Sequence, residues 1–456
     1  MSDEDIHQNA MSDPLMMANE ATSDGNWSLT AYYLQKALQQ FPQSASFNAA
    51  LWRTLALRTL EGGDFYIRWD MAKLIAKAEF DLVQPADVAA LLDKAADEDE
   101  SFIWFLVRIL GDLGGDESIS ALVDLLKRSP AEDVVSAIVL ALSQIGAAAI
   151  PTVYRLLDTP ETRPAAVQVL ARIRHPDAAN ALVGTIKDID PEIRTLAVST
   201  LGDAQHPQAG PILIEALTDV APEVRRAAIA GLGVGPSVHA PTTVAKMGVL
   251  LWDLNLGVRR AAILALSRLA SDDAAKLLYD ALQSQSTPPV LQCDLIQAIA
   301  RTETAAGIGY LSAYAADLDF LPGTNEAIYD TIATSLGRIE TPDLIPAAVT
   351  LLEMMTRTTN VNSSTRRAIA TSLGQLGCVS GSSNAVDILI HMLADADTGV
   401  RLHITAALRK LAPIDARQRL AAIVTSPQAT DELKQTALLA LQDWDQSAYP
   451  DTLRPN

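Results

Sequence analysis

One pattern recurs along most of the 456-residue chain, and it restricts the fold more than any other property. PEVRRAAIAGLG from Pro222, LGVRRAAILALS from Leu256 and TGVRLHITAALR from Thr398 superpose without gaps. PEIRTLAVSTLG from Pro191 and STRRAIATSLG from Ser364 keep the same frame. The shared order is a turn residue, an apolar residue, Arg, then apolar positions at helical spacing, closing on Leu-Gly or similar. The apolar position before the Arg serves as a register mark. It falls at Ile67, Phe102, Val134, Thr162, Ile193, Val224, Val258, Leu291, Ile328, Thr365, Val400 and Leu433. Twelve marks over 366 residues give intervals averaging about 33, enough for two helices of about 12 residues and two short turns.

Each unit reads as helical for physical reasons. In VRRAAILALSRLA, the residues Val258, Ala261, Ala262, Ala265, Leu266 and Leu269 follow the three-four spacing of one apolar stripe. Asp190-Pro191-Glu192 supplies a capping carboxylate, a first-turn Pro and an acid at the positive helix end. Gly after Leu110, Leu201, Leu232, Leu336 and Leu373 is expected to stop the helix at positive φ. A paired helix shows in HPDAANALVGTI from His175 and HPQAGPILIEAL from His206. One pair cannot bury its stripe alone, and stacking about twelve buries a continuous Ala-lined core. The expected fold is an all-α, right-handed α-solenoid of about twelve helical hairpins. Residues 1–12 are expected to be a disordered acidic tail, 13–60 a tetratricopeptide-like helical cap, 61–445 the solenoid and 446–456 a flexible tail. A bend is expected near Pro289 to Gly323, where the repeat lengthens to 37 residues.

Composition narrows the chemistry. The net charge is −20 and the pI about 4.7, which repels phosphate backbones and anionic lipid surfaces, so nucleic acid and membrane are not the expected ligands. Two cysteines, Cys293 and Cys378, exclude a disulfide framework and a Cys-built zinc site and are expected as small core residues. The MSDEDIHQ start lacks the order of a signal peptide, and the apolar stretch Ile138 to Val153 is short and interrupted by Gly146 and Pro151. None of the six His pairs at metal-ligand spacing with a Cys or carboxylate motif, and no nucleophile elbow or phosphate loop occurs. No metal or catalytic residue is expected, and the chain is expected to be cytoplasmic.

Two sets of residues stand out as partner-binding candidates. Thirteen of the 22 aromatic residues lie between Trp27 and Phe105, concentrated in Phe65, Tyr66 and Trp69 beside Asp70, and in Phe102, Trp104 and Phe105. Adjacent aromatics point around a helix, so not all of the second group can face the core. The arginines occupy two slots. Arg194, Arg225, Arg259, Arg366 and Arg401 are expected to bond an acid or turn carbonyl of a neighbouring unit, such as Asp190, Glu223 or Asp397. Arg226, Arg260 and Arg367, one position further, are expected as a basic stripe able to bind carboxylates bidentately.

The repeat resembles HEAT repeats, specifically the short type of the cyanobacterial phycobilisome lyase and phycobilisome-degradation group. The resemblance spans about Gly63 to Trp444. It implies a cyanobacterial setting, protein binding, and a phycobiliprotein or thylakoid-associated photosynthetic assembly as client. Lyase subunits of that group carry a Tyr-Tyr-x-x-Trp-Trp-Leu pattern, to which Phe65, Tyr66 and Trp69 correspond while Asp70 replaces the second Trp. The expected function is therefore a non-catalytic scaffold without a cofactor. The alternatives are a bilin lyase or lyase-isomerase, with Arg on the bilin propionates and Asp70 on the pyrrole nitrogens, and a general assembly adaptor.

Overall fold

The structure is a computed structural model that describes residues 13–40, 47–78, 82–95, 100–128, 131–204, 206–233, 240–318, 325–357, 361–380, 383–411 and 413–446. The two tails, 1–12 and 447–456, lie outside the described residues, as do His239 and the side chain of Cys378. All regular structure among the described residues is helical. The chain divides into two compact units, 1–207 and 208–456.

In the first unit, Pro14–Ser23 and Trp27–Gln40 form a hairpin turned by Gly25 at φ 69°. Ala49–Gly62 packs on both of these helices and also precedes Phe65–Lys77 by the two-residue turn Gly63–Asp64. The cap expected over 13–60 is thus a two-helix hairpin, and its expected third helix begins the first repeat. Trp52, fully buried, locks that junction by donating its indole N–H to the Leu34 carbonyl at 3.0 Å. Four further pairs follow: Pro85–Ala95 with Glu100–Leu113, Gly115–Lys127 with Glu132–Ile145, Ile150–Arg155 with Arg163–Arg172, and Pro176–Leu182 with Pro191–Asp203. The second helices pack side by side as one row and the first helices as another.

Residues 132–158 are long and apolar enough to cross a membrane by composition, more than the stretch 138–153 suggested. Gly146, at φ 80°, breaks the run into Glu132–Ile145 and a 3-10 turn before Ile150–Arg155. A 14-residue helix is about 21 Å long, short of the ~30 Å hydrocarbon layer. Val134, Ile138, Leu142 and Val153 are buried in the repeat core.

The second unit continues the pairing through Ala209–Ala216 with Pro222–Leu232, Pro241–Val249 with Leu256–Ser267, and Asp272–Gln283 with Pro289–Arg301. Ala305–Asp317 with Glu326–Leu336, Ile345–Arg357 with Ser363–Ser380, Ser383–Met392 with Thr398–Leu411, and Pro413–Thr425 with Asp431–Gln446 complete it. Counted from Ala49, the described residues hold twelve pairs, and every register mark falls on, or in the case of Thr162 just before, a second helix. The marks from Phe102 to Val400 are all buried. The stretch expected to bend carries two regular helices up to Asp317.

The Leu-Gly signal has a different cause from the one expected. Among the described residues the glycines at positive φ are Gly25, Gly114, Gly115 and Gly146, none of them in that slot. Gly111 and Gly374 lie inside their helices. A Cβ added there would come within 2.8 Å of the Cβ of Ala141 and Ala407, respectively, on the next second helix. Close approach between neighbouring repeats, not chain reversal, selects glycine at these two positions.

Candidate functional site

The aromatic cluster sits on the first two second-row helices. Asp64 caps Phe65–Lys77 by accepting the Ile67 N–H at 3.0 Å, which places Phe65 and Tyr66 on the first turn. Both are exposed, at 53% and 78%. Trp69, one turn on, stacks against Trp104 at 6.2 Å with 8° between planes, and Phe65 stacks on Trp69 at 6.5 Å and 15°. Phe105, fully buried, meets Phe65, Trp69 and Trp104 edge-on at 5.2 Å, 6.3 Å and 5.2 Å. Phe102 is also buried, under the Arg68 guanidinium at 4.5 Å.

Cations already occupy the indole faces. Arg108 lies 4.6 Å from the Trp69 ring and 5.8 Å from Trp104, and Lys73 lies 5.0 Å from Trp69. A flat molecule stacking on either indole would first have to displace them. The structure therefore gathers Phe65, Trp69, Trp104 and Phe105 into one packed group and leaves Phe65 and Tyr66 as its exposed edge. Asp70 stands apart from that group: with Tyr66, Tyr32, Lys73 and Lys77 it lines a cleft of about 480 Å³ between Trp27–Gln40 and Phe65–Lys77.

The first-slot arginines are clamps. Arg194 donates to the Asp188 and Ile189 carbonyls at 2.8 and 3.1 Å, and Arg225 to the Asp219 and Val220 carbonyls at 2.7 and 3.0 Å. Arg401 repeats this on Asp395 and Ala396 at 2.7 and 3.0 Å. Each thus ties the turn before its own helix, whose carbonyls the helix cannot satisfy. Several also reach the acid of the next turn. Arg225 grips Asp253 with two bonds of 2.7 and 2.8 Å, and Arg366 grips Asp395 at 2.6 and 3.1 Å. Arg163, a further residue of this kind, bonds Asp188 at 2.9 Å.

The acids in these clamps are Asp188, Asp253 and Asp395, two residues before the expected type. Asp190 and Asp397 are engaged instead as caps, accepting Glu192 N–H at 2.8 Å and Val400 N–H at 2.9 Å. The division follows from direction. The later acid lies beside its own helix start, while the earlier one points back to the preceding repeat. Burial pushes the Asp253 carboxyl up, but the Arg225 hydrogen bond, the Asn255 N–H and the charges of Arg225 and Arg259 outweigh it, leaving Asp253 below the usual carboxylate value.

The second-slot arginines do not form one unpaired stripe. Arg260 donates to Asp294 at 3.2 Å, and Arg367 donates to Ser363 at 3.1 Å and lies 3.8 Å from Asp397. Arg226 is exposed, its guanidinium against Gly257. Side-by-side helices bring a residue opposite one about a repeat later, so an acid in the following unit meets the arginine.

Sequence reasoning overlooked a second cleft, of about 550 Å³, crossing three consecutive second-row helices of the second unit. Arg260, Arg301 and Arg338 line it. The overlooked signal is a fixed offset: Arg301 and Arg338 stand ten residues after Leu291 and Ile328, as Arg268 does after Val258. Glu303, also on the cleft, has φ 47°, the one non-glycine at positive φ among the described residues. Its carboxylate is committed to the next repeat, accepting the Thr341 N–H at 3.1 Å and its hydroxyl. Among the described residues no group of three or more His, Cys, Asp or Glu is arranged to hold a metal. Cys293 is half-buried, its thiol 3.9 Å from the Ala327 carbonyl. His175 and His403 bond the Asp177 N–H and the Thr371 hydroxyl at 3.2 and 3.0 Å, structural contacts both.

Comparison with known proteins agrees with this architecture. The family model "HEAT repeats" matches residues 88–163, 151–233 and 211–300, and "PBS lyase HEAT-like repeat" matches 365–395. The chain is a HEAT-repeat protein, resembling the PBS lyase group, and its fold is an all-α solenoid. A mutant of the karyopherin Kap121p is similar in structure with a TM-score of 0.51 and 11% identity, covering 95% of this chain and 59% of that one. Kap121p bound to the extreme C-terminus of the phosphatase Cdc14p gives 0.49 at 13%, covering 90% and 55%. Importin beta gives 0.38 at 13%, covering 96% and 76%. At these identities the likeness concerns the fold alone, and the chain spans under two thirds of the karyopherin length. No curated protein matches the sequence.

Proposed function

We propose that the chain is a non-catalytic protein-binding scaffold whose client is a phycobiliprotein or another photosynthetic assembly of a cyanobacterium, met in the cytoplasm or at the thylakoid surface. The repeat solenoid supports the scaffold part, since such folds present extended surfaces along their rows. The observation that carries the client is the PBS lyase HEAT-like repeat at residues 365–395. Phe65 and Tyr66, held at the exposed edge of the aromatic group, are the anchors of this reading, because rigid rings contribute much of the energy at protein interfaces.

The bilin lyase alternative draws on one feature, the cleft in which Lys73 and Lys77 stand beside Asp70 and Tyr66. Two ammoniums and a carboxylate match the propionates and pyrrole nitrogens of a bilin. Co-sedimentation of the purified chain with intact phycobilisomes, followed by the mass of each phycobiliprotein subunit, separates the readings. The scaffold reading expects a complex weakened about tenfold or more by F65A with Y66A, with subunit masses unchanged. A bilin mass added to an apo-subunit in the presence of free bilin would establish the lyase instead. Absence of any phycobilisome complex would leave only a general adaptor.

A further inference from the structure

We infer that the 550 Å³ cleft of the second unit is a docking groove for an extended acidic segment of the client protein. The inference rests on the protein-binding reading and names the chemistry of the partner at one place on the surface.

The groove is built from residues of three consecutive repeats. Its floor is small and buried: Ala298 and Ser335 occupy the same helix position, seven residues after Leu291 and Ile328, and Ser267 lies nine residues after Val258. Small side chains allow a peptide backbone to lie close to the helices. Leu264, 44% exposed at the same site, offers an apolar contact beside them.

The charges on the rim are unequal in availability. Asp294 is committed to Arg260 and Glu303 to Thr341. Arg301 and Arg338 are exposed, and among the described residues neither guanidinium makes a hydrogen bond or ion pair. Arg301 ends Pro289–Arg301 and Arg338 lies two residues past Glu326–Leu336, both near a helix C-terminus where the dipole favours a cation. That placement accounts for a basic residue but not for two guanidiniums converging on one groove in a chain of net charge −20. Two free guanidiniums one repeat apart offer two bidentate sites for carboxylates on an extended chain. Glu340, on the same rim, sets selectivity by repelling a misplaced acid.

The test uses the full-length protein and two fluorescein-labelled ten-residue peptides, one of alternating glutamate and alanine and one of alternating lysine and alanine, read by fluorescence anisotropy. The glutamate peptide is expected to bind and to lose about tenfold in affinity for each of R301Q and R338Q, and about a hundredfold for both. R260Q is expected to cost less, because Arg260 is already paired. The lysine peptide is expected to be indifferent to these changes or to bind more tightly. Both altered side chains are exposed, and an unchanged melting temperature confirms that folding is intact. No binding of the glutamate peptide, or binding unaffected by the double variant, would overturn the groove. So would tighter binding of a single-stranded DNA oligomer with the same arginine dependence, since the site would then be one for phosphates. Full capture of a phycobilisome client by the double variant would also overturn the groove while leaving the scaffold reading in place. A wild-type chain that binds the peptide but captures no protein would sink the scaffold reading instead.

Discussion

In the first unit, neighbouring second helices meet at the aromatic end through rings: Phe65, Trp69, Trp104 and Phe105 interlock between Phe65–Lys77 and Glu100–Leu113. In the second unit the second helices carry small residues at a fixed place one to two turns further along. Seven positions after the mark stand Ala265, Ala298, Ser335, Ser372 and Ala407, all buried. Helices joined through small residues approach closely but gain little from side-chain shape. There the neighbouring repeats are fixed by directional bonds, in Arg225–Asp253, Arg366–Asp395 and the Glu303–Thr341 tie. One repeat pattern thus accepts two ways of fastening, by bulk or by charge. The exposed groups that remain follow from that choice: ring edges at one end, unpaired guanidiniums in the other unit.

The largest effect should come from the bulk-fastened seam. Phe105→Ala removes a fully buried ring that touches three others and should cost about 3–5 kcal/mol. Urea unfolding followed by tryptophan fluorescence checks this.

Next comes the charge-fastened seam. Arg225→Met leaves Asp253 buried without its cation and should cost about 3 kcal/mol at pH 7. The folded-state Asp253 lies below its ordinary value, so its contribution is present above about pH 4 and is lost as pH falls through the folded value. The gap between wild type and variant should therefore narrow on acidification below about pH 4, measured by denaturation at several pH values. A gap that widened in acid would show that Asp253 is not held ionised by Arg225.

Smaller changes sharpen the packing side. Gly111→Ala and Gly374→Ala should each destabilise by about 1–3 kcal/mol, because the new Cβ meets Ala141 or Ala407. Gly309→Ala, inside Ala305–Asp317 with nothing within 4 Å of the new Cβ, should stabilise by about 0.5–1 kcal/mol. Thermal melts of the three variants separate close approach from helix propensity, since propensity alone would raise all three.

The repeat itself was legible because the marks from Phe102 to Val400 are all buried, and apolar except for Thr162 and Thr365, and the chain spacing repeats with them. What lay between repeats was less so. The clamp acids are Asp188, Asp253 and Asp395 rather than Asp190 and Asp397, because the sequence does not say which of two nearby carboxylates points back. Glycine after leucine read as a stop, since a helix seen alone carries no sign of its neighbour at Gly111 or Gly374. Asp70 and Trp69 are adjacent in sequence yet serve different surfaces, one lining a cleft and the other stacked under Arg108. Arg301 and Arg338 carry a readable offset, but the sequence of one helix does not show that its C-terminal end meets a groove shared with the neighbouring repeats.

We propose that this chain recognises a photosynthetic client without performing chemistry on it. Co-expression with an apo-phycobiliprotein and free bilin tests it most directly, with isolation of the complex and intact mass of the client subunit. A scaffold should give a stable complex and a client no more heavily modified than without the chain. A client that gains one bilin mass only when the chain is present would contradict it.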